Sequence, residues 1–261
     1  MNMRFGMDIK EKILEKVKVT VEEFQARPDI KSKFGEPIVG YADSRNPIFD
    51  MYFSRTICDH PKKIYRPGNT VVVHFVPFAK EITESNRGGD RPSEAWLTAF
   101  NDSMWLSMRL NGVIRDVLDA VGRLSSCTNT PTDWDEERCR EEWSHKLAAY
   151  AAGMGKFGPA GSFQTKNGFA GRFGSIITDG QYAEAFETLS SEQLEAVYQE
   201  IQRQYCYQEA KGVSCSQEMI QACPAGAISE NGIDRKRCQA HCKKIDAFIP
   251  SPEVCGKCFF Y

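Results

Sequence analysis

The sequence has no long apolar run and no excess of charge of either sign. No apolar stretch approaches the roughly 20 residues that a membrane-spanning helix needs. The first residues, MNMRFGMDIKEKILEK, also lack the apolar core of a secretion signal. The 33 Lys and Arg residues nearly balance the 35 Asp and Glu residues, so we expect neither nucleic acid nor a membrane as a partner. These absences predict a cytoplasmic protein.

Cysteine, in contrast, is abundant, and most of it lies near the end of the chain. Seven of the ten cysteines fall in the last 56 residues. An even number could indicate a secreted disulfide scaffold, but without a secretion signal, clustered cysteines favour metal ligands or redox thiols. The ten positions are Cys58, Cys127, Cys139, Cys206, Cys215, Cys223, Cys238, Cys242, Cys255 and Cys258.

Helical and strand patterns alternate along the first 204 residues, which predicts an α/β or α+β body with a covered sheet. The apolar, β-branched stretch 70–78 predicts a buried central strand, and 175–178 a second strand. Four helices are predicted, over residues 8–26, 93–121, 135–152 and 190–204. Beyond Tyr205 the composition becomes rich in cysteine and poor in apolar residues. We therefore predict two domains, 1–204 and 205–261, of which the second depends on a metal centre for its stability.

The segment from Ala222 to Ile228, ACPAGAI, is typical of the end of a bacterial ferredoxin half-site. In the standard run, three more cysteines would precede Cys223, at positions 213, 216 and 219. Those positions hold Val213, Ser216 and Met219. In two-cluster ferredoxins the cysteine before the proline serves the other cluster, so Cys223 should pair with downstream cysteines.

Two downstream elements supply those partners, namely an RKRC stretch ending at Cys238 and a C-x2-C pair at Cys255 and Cys258. We therefore predict one 4Fe–4S cluster bound by Cys223, Cys238, Cys255 and Cys258. The other cluster would also need a cysteine about four residues past Cys258, beyond Tyr261, where the sequence ends. A structural zinc site also uses four thiolates, and disulfides or free thiols are a third interpretation.

The remaining cysteine and histidine residues give weaker signals. Cys206, Cys215 and Cys242 could hold a second metal with His241, but they are interpreted mainly as spare or buried thiols. Packing roles are expected for His74 and for the three cysteines of the body, Cys58, Cys127 and Cys139. The catalytic residues are unknown from sequence, and His145 and Tyr150 are weak candidates.

Glycines are unusually dense between residues 153 and 174, which leaves the backbone open to close approach. The approaching group could be a large flat cofactor or the C-terminal domain. A GxGxxG match at 153–158 follows a helix instead of a strand, so it does not indicate a dinucleotide site. The cofactor-binding candidates are Gly153, Gly155, Gly158, Gly171, Arg172 and Gly174.

Together the motifs AAGMGKFG, GRFGSIITD, CPAGAI, RKRC and CGKC resemble the epoxyqueuosine reductase family, and more narrowly its iron–sulfur relatives in anaerobes. The resemblance covers roughly residues 140–258. It implies a nitroreductase-like or cobalamin-processing-like α+β (α/β) body with a small C-terminal ferredoxin-like domain. It also implies cobalamin held beside a 4Fe–4S cluster, and the four cysteines match the inner cluster of that family.

The sequence departs from the family before the glycine loop. Where the family has Asp-x-x-Pro-Val, this sequence reads CREEW over 139–143, so the family's proton-donating aspartate has no counterpart. The leading hypothesis is a single-cluster oxidoreductase that binds a corrinoid and reduces a small substrate. The alternatives are an electron-transfer partner of another redox protein, without catalysis of its own, and a structural metal protein.

Overall fold

A computed structural model describes residues 2–128, 134–135, 137, 139–186, 188–204, 215–245 and 254–261. Its helices are α1 (Asn2–Gln25), α2 (Pro47–Ser54), α3 (Pro61–Ile64), α4 (Lys80–Ser85), α5 (Glu94–Asp119), α6 (His145–Ala151), α7 (Ser191–Gln204), α8 (Gln217–Ala222) and α9 (Arg235–Ile245). Its strands are β1 (Ile38–Asp43), β2 (Thr70–Pro77), β3 (Ser125–Cys127), β4 (Trp134–Asp135), β5 (Arg140–Glu141), β6 (Gly155–Phe157), β7 (Phe163–Thr165), β8 (Gly171–Thr178), β9 (Ile228–Ser229) and β10 (Gly232–Ile233).

The body is built on a four-stranded antiparallel sheet in the order β1-β2-β8-β3. All eight residues of β2 are buried, as the apolar stretch predicts, because helices cover both faces of this central strand. The strand predicted over 175–178 is longer and begins at Gly171. Antiparallel pairing in a sheet covered by helices confirms the α+β class.

Alternation along β2 divides the core into two layers. Val72 and Val76 face the long helices α1 and α5, where Leu110 and Ile114 are fully buried. Val73 and its alternate neighbours on β2 face the opposite layer, which contains α2, α6 and part of α7. The sheet is therefore the middle layer, and the start of β8, at Arg172 and Phe173, pairs with the end of β2.

The helix predicted over 135–152 is wrong in its first half. β4 and β5 pair as a short antiparallel hairpin, and the helix begins only at His145. The Ser144 side chain accepts a hydrogen bond from the backbone N–H of Leu147, which caps the helix at that point. A short helix, α4, lies between β2 and α5, where no helix was predicted. The predicted domain boundary at 205 and Cys206 lie outside the described residues, and the division into domains stays a prediction.

The C-terminal part consists of α8, the β9–β10 hairpin, α9 and a final 3-10 turn over Lys257–Phe260. Its last residues are fastened to the body at the start of α5. Trp96 Nε1 donates to the carbonyl of Val254 at 3.2 Å, and Asn86 Nδ2 donates to the carbonyl of Cys255 at 3.0 Å. Within the described part of the chain, no helix has the length and apolar character required to cross a membrane.

Candidate functional site

A cavity of about 500 Å³ separates the body from the C-terminal part. One wall, here called the cysteine wall, contains Cys223, Cys238, Cys255 and Cys258. The opposite wall, here called the body wall, is formed mainly by α2, α5, α6, α7 and the strand β8. The structure thus brings the four predicted metal ligands together around one space, although they are far apart in sequence.

Each cysteine of this wall is positioned by a local turn. Cys223 ends α8, whose start is capped by Ser216, and Cys238 lies in the first turns of α9. Cys255 and Cys258 flank Gly256, which adopts φ of +60°. A Cβ at Gly256 would lie 2.4 Å from the indole ring of Trp96, so only glycine permits this turn against the body.

The four thiols are close enough to influence one another's ionisation. Burial raises the pKa of Cys258 well above its ordinary value, and the neighbouring Cys238, Cys255 and Cys223 raise it further. Burial also raises the pKa of Cys255 to about 11, to which Cys238 and Cys223 contribute. Without a cation nearby, the thiolate forms of Cys255 and Cys258 are therefore disfavoured.

Hydrogen-bond donors point at the sulfur atoms. The backbone N–H of Ala227 donates to Cys223 Sγ at 3.3 Å. Cys242, a fifth and fully buried cysteine, donates its S–H to Cys238 and thereby lowers the pKa of Cys238, an effect to which the charge of Arg235 adds. Lys257 also lines the cavity, and its Nζ donates to the backbone carbonyls of Asn86 and Gly88. Donors and cations around sulfur are features that stabilise bound thiolates.

The same residues do not converge on a single point. Among the described residues, no group of three or more His, Cys, Asp or Glu side chains is arranged so that it could hold a metal ion. A tetrahedral zinc site requires four donors within about 2.3 Å of one ion. The four cysteines therefore enclose a space without forming a single-ion site.

The body wall contains one of the two weak catalytic candidates. His145 lines the cavity, and its Nδ1 lies 2.8 Å from Ser175 Oγ. Trp143 Nε1 donates to the same hydroxyl at 3.0 Å. Tyr150 is not among the residues that line the cavity; it lies 5.8 Å from Phe157, centroid to centroid, and burial raises its pKa.

Arg172 lines the cavity as predicted for a cofactor contact, and the adjacent Phe173 does so too. Its guanidinium carbon lies 4.5 Å from the centroid of the Phe100 ring, and its Nε donates to Ser103 Oγ at 3.2 Å. These contacts hold the side chain on α5. Its role toward a cofactor stays a prediction.

The predicted glycines, in contrast, are not among the residues that line the cavity; four of them pack closely within the body, and Gly153 lies in open space with a positive φ. A Cβ at Gly155 would lie 2.0 Å from the backbone oxygen of Gln164, and one at Gly174 would lie 2.4 Å from His74 Nε2. Gly171 meets the backbone of β2, Gly158 meets Ser162, and Gly153 has φ of +67° after α6. Close packing within the body therefore accounts for four of these glycines, and the cofactor role predicted for all of them stays a prediction.

The remaining cysteines and histidines have varied positions. Cys58 and Cys139 are buried but also line the cavity, and Cys139 Sγ donates to Gln239 Oε1 at 2.8 Å. Cys127 is exposed, and Cys215 is buried beside Met219. His241 lines the cavity, whereas His74 is wholly buried within β2.

Three residues of the site were missed by sequence reasoning. Gln202, Arg235 and Lys257 all line the cavity. Lys257 lies between the two cysteines of the C-x2-C pair, and Arg235 lies three residues before Cys238, so their spacing could have suggested them. Gln202 carries no such signal, because it lies in an amphipathic helix far from any motif.

Comparisons with known proteins give no family model and no curated protein that matches the sequence. Three solved structures match, all of epoxyqueuosine reductase. One, with an epoxyqueuosine-modified stem loop of tRNA-Tyr, has 15% identity and a TM-score of 0.49 over 90% of this chain. Another, from Bacillus subtilis with its catalytic loop swung out of the active site, has 14% identity and a TM-score of 0.43 over 87% of this chain. A selenomethionine-labelled one has 13% identity and a TM-score of 0.46 over 94% of this chain.

These are structures of the enzyme whose family the sequence motifs resemble. The chain spans 56% of the length of the first two solved chains and 64% of the third. The first of those structures contains a tRNA stem loop. Our expectation that nucleic acid is not a partner of this chain stays a prediction.

Proposed function

We propose that this protein is an oxidoreductase that binds one 4Fe–4S cluster and transfers electrons to a small molecule held in the cavity. The cluster ligands are Cys223, Cys238, Cys255 and Cys258. The observation that carries the proposal is that these four residues, selected by ferredoxin-like spacing, line the same cavity as the body wall. A bound molecule would therefore lie directly against the cluster.

The cysteine wall suits a cluster better than a zinc ion. Cys223 begins the Cys-Pro-Ala-Gly-Ala-Ile continuation that is typical of a ferredoxin half-site and that a zinc site does not require. The thiols of the wall also influence one another electrostatically. The N–H group that donates to Cys223 and the cations Arg235 and Lys257 offset the negative charge that four thiolates bring.

The enclosed cavity favours a reductase over a carrier without catalysis. An electron carrier needs only an exposed cluster, whereas here the four cysteines, of which Cys255 is buried and the other three are partly buried, face a cavity of about 500 Å³. Pockets for small molecules commonly have volumes of about 300–1,000 Å³. His145 lies on the opposite wall, where it could donate a proton to a substrate as the substrate is reduced.

A corrinoid is the second part of the proposal. When bound, a corrinoid supplies a redox-active cobalt centre between cluster and substrate. Arg172 is the predicted residue that lines the cavity and carries a charge for the polar edge of such a group. Because the predicted glycines do not line the cavity, side chains would make the contacts with a corrinoid.

Anaerobic reconstitution followed by iron and sulfide analysis tests the cluster. We expect four irons and four sulfides per chain, since only one complete set of ligands is present. Cys238→Ala should strip or destabilise the cluster, whereas Cys58→Ala, at a buried cysteine on the other wall, should keep it. One zinc and no sulfide, or close to eight irons, would contradict the proposal.

Cobalamin added to the reconstituted protein tests the corrinoid, with its visible spectrum as the readout. A spectral change that Arg172→Ala weakens, with unchanged iron content, supports the contact. No binding at high micromolar cobalamin removes the corrinoid from the proposal and leaves the cluster. A mobility shift with a tRNA stem loop decides separately whether a nucleic acid binds.

A further inference from the structure

Gln202 is a buried polar side chain with an unused hydrogen-bond donor in the cavity. It lies in the last turn of α7 and is 8% exposed. Its Nε2 is buried and has no hydrogen-bond partner among the described residues, and the residue lines the cavity. Because most buried side-chain polar atoms in proteins are paired, an amide group in this position indicates an acceptor supplied by a ligand.

Other polar groups of the body wall already have partners. Trp143 Nε1 donates to Ser175 Oγ, and Lys146 Nζ donates to the carbonyl of Gly161 at 2.7 Å. Arg172 donates to Ser103 Oγ. These two cations thus already donate to protein oxygens, whereas Gln202 Nε2 has no acceptor within the described part of the chain.

The surface around this donor is aromatic. Tyr52, Trp143, Phe157 and Phe173 line the cavity on this side, and all four belong to one buried core cluster. Among the described residues that line the cavity, none is Asp or Glu. An aromatic wall with an unpaired amide donor favours a flat molecule that carries a hydrogen-bond acceptor.

We propose that the body wall binds a planar aromatic carbonyl compound, whose carbonyl oxygen accepts a hydrogen bond from Gln202 Nε2. The inference deepens the proposed function, because it names a substrate class for the same cavity. The ring system packs on the aromatic side chains of the body wall. The rest of the molecule faces the cysteine wall.

The probe pair is 1-indanone and indane, which share a ring skeleton and differ by the carbonyl oxygen. Binding to the anaerobically reconstituted protein is measured by ligand-observed NMR, and the carbonyl stretch of bound 1-indanone by infrared difference spectroscopy. We expect 1-indanone to bind about tenfold more tightly than indane, since one hydrogen bond to a buried donor contributes about that factor. Its carbonyl stretch should move to lower wavenumber than in an apolar solvent.

The test variant is Gln202→Met, which keeps the length of the side chain and removes its donor. It should bind both compounds equally and leave the carbonyl stretch unshifted. Gln199→Met, one turn earlier on α7 and bonded there to Glu195, is the matched control and should keep the preference. Because the donor of Gln202 is unsatisfied, Gln202→Met should leave the melting temperature unchanged or raise it.

Equal affinity of the wild type for both compounds, or a preference that survives in Gln202→Met, would overturn the inference. So would a fall in the melting temperature of Gln202→Met, which would assign the residue a structural role. Iron content is measured on the same samples, so the two proposals fail separately. Four irons with no preference removes only the inference, whereas a preference without iron removes only the cluster.

Discussion

The body and the C-terminal part of this chain are stabilised in different ways. In the body, the eight residues of β2 are all buried, and helices of 24 and 26 residues pack on the sheet. In the C-terminal part the longest helix has 11 residues, and the hairpin strands have two residues each. The body has enough apolar surface to form its own core. We predict that the C-terminal part depends on its cysteines and on contacts with the body.

Those contacts form a small shared core. Phe100 of α5 packs with Val254, Cys242 and Cys255, so two of the four buried members are cysteines. A cluster bound at this point would stabilise the C-terminal part by linking α8, α9 and the last turn. The difference between the two regions can be tested by removing metal from one and apolar surface from the other.

Removal of iron is expected to have the largest effect. A chelator should leave the body folded and loosen residues 215–245, because cluster binding contributes folding energy there. Limited proteolysis with mass spectrometry should then find new cuts within 215–245 and none in the sheet of the body. Identical protection with and without iron would show that the C-terminal part is stable without a cluster.

Leu110→Ala tests the opposite half of the comparison. Leu110 is fully buried between α5 and the sheet, so the variant should lower the free energy of unfolding by about 2–5 kcal/mol. Urea denaturation measures the loss, and iron content should stay the same. Leu124→Ala, at a residue that is 64% exposed, is the control and should change stability by less than about 0.5 kcal/mol.

Gly155→Ala separates packing from cofactor binding in the glycine-rich segment. The new Cβ would lie 2.0 Å from the backbone oxygen of Gln164, and we expect a loss of about 1–3 kcal/mol. Gly112→Ala, in open space on α5, should instead stabilise the protein by about 0.5–1 kcal/mol. If Gly155→Ala keeps full stability but loses a cobalamin-induced spectral change, the packing explanation is wrong.

His74 should make the stability of the body depend on pH. Burial lowers the pKa of His74 from 6.5 to about 4, so the folded state favours the neutral ring. The stability that comes from keeping this ring neutral is fully present above pH 6.5 and is lost as pH falls toward 4. Between pH 7 and pH 5 the free energy of unfolding should therefore fall by about 2 kcal/mol. Urea titrations should show a smaller loss for His74→Gln than for wild type, and equal losses would exclude His74 as the cause.

Much of the body could be predicted from local sequence. Ser93 caps α5 as expected, because its side chain accepts a hydrogen bond from the N–H of Trp96. The central strand also follows directly from its β-branched run. The helix predicted over 135–152 failed because Trp143 and Leu147 have helical spacing, but Trp143 precedes the cap at Ser144 and packs on Phe49 instead.

The site was predictable only where its chemistry is encoded in short motifs. The four cysteines follow from ferredoxin-like spacing, and the structure brings them to one cavity. The body wall could not be predicted, because Gln202 and Arg172 meet there through the packing of α7 and β8. The glycines are a second example. Their density in the sequence indicates that another group packs closely against the backbone, but it does not show that this group is another part of the body.

The attachment of the last residues to the body has a consequence for cluster assembly. The side chains of Trp96 and Asn86 donate hydrogen bonds to the carbonyls of Val254 and Cys255, so the C-x2-C pair is positioned without any metal. Under the proposed function, two of the four cluster ligands are therefore preorganised, and the entropy of ordering them would already be lost before iron binds. Iron bound first at Cys255 and Cys258 would then meet the other two proposed thiols at high effective concentration.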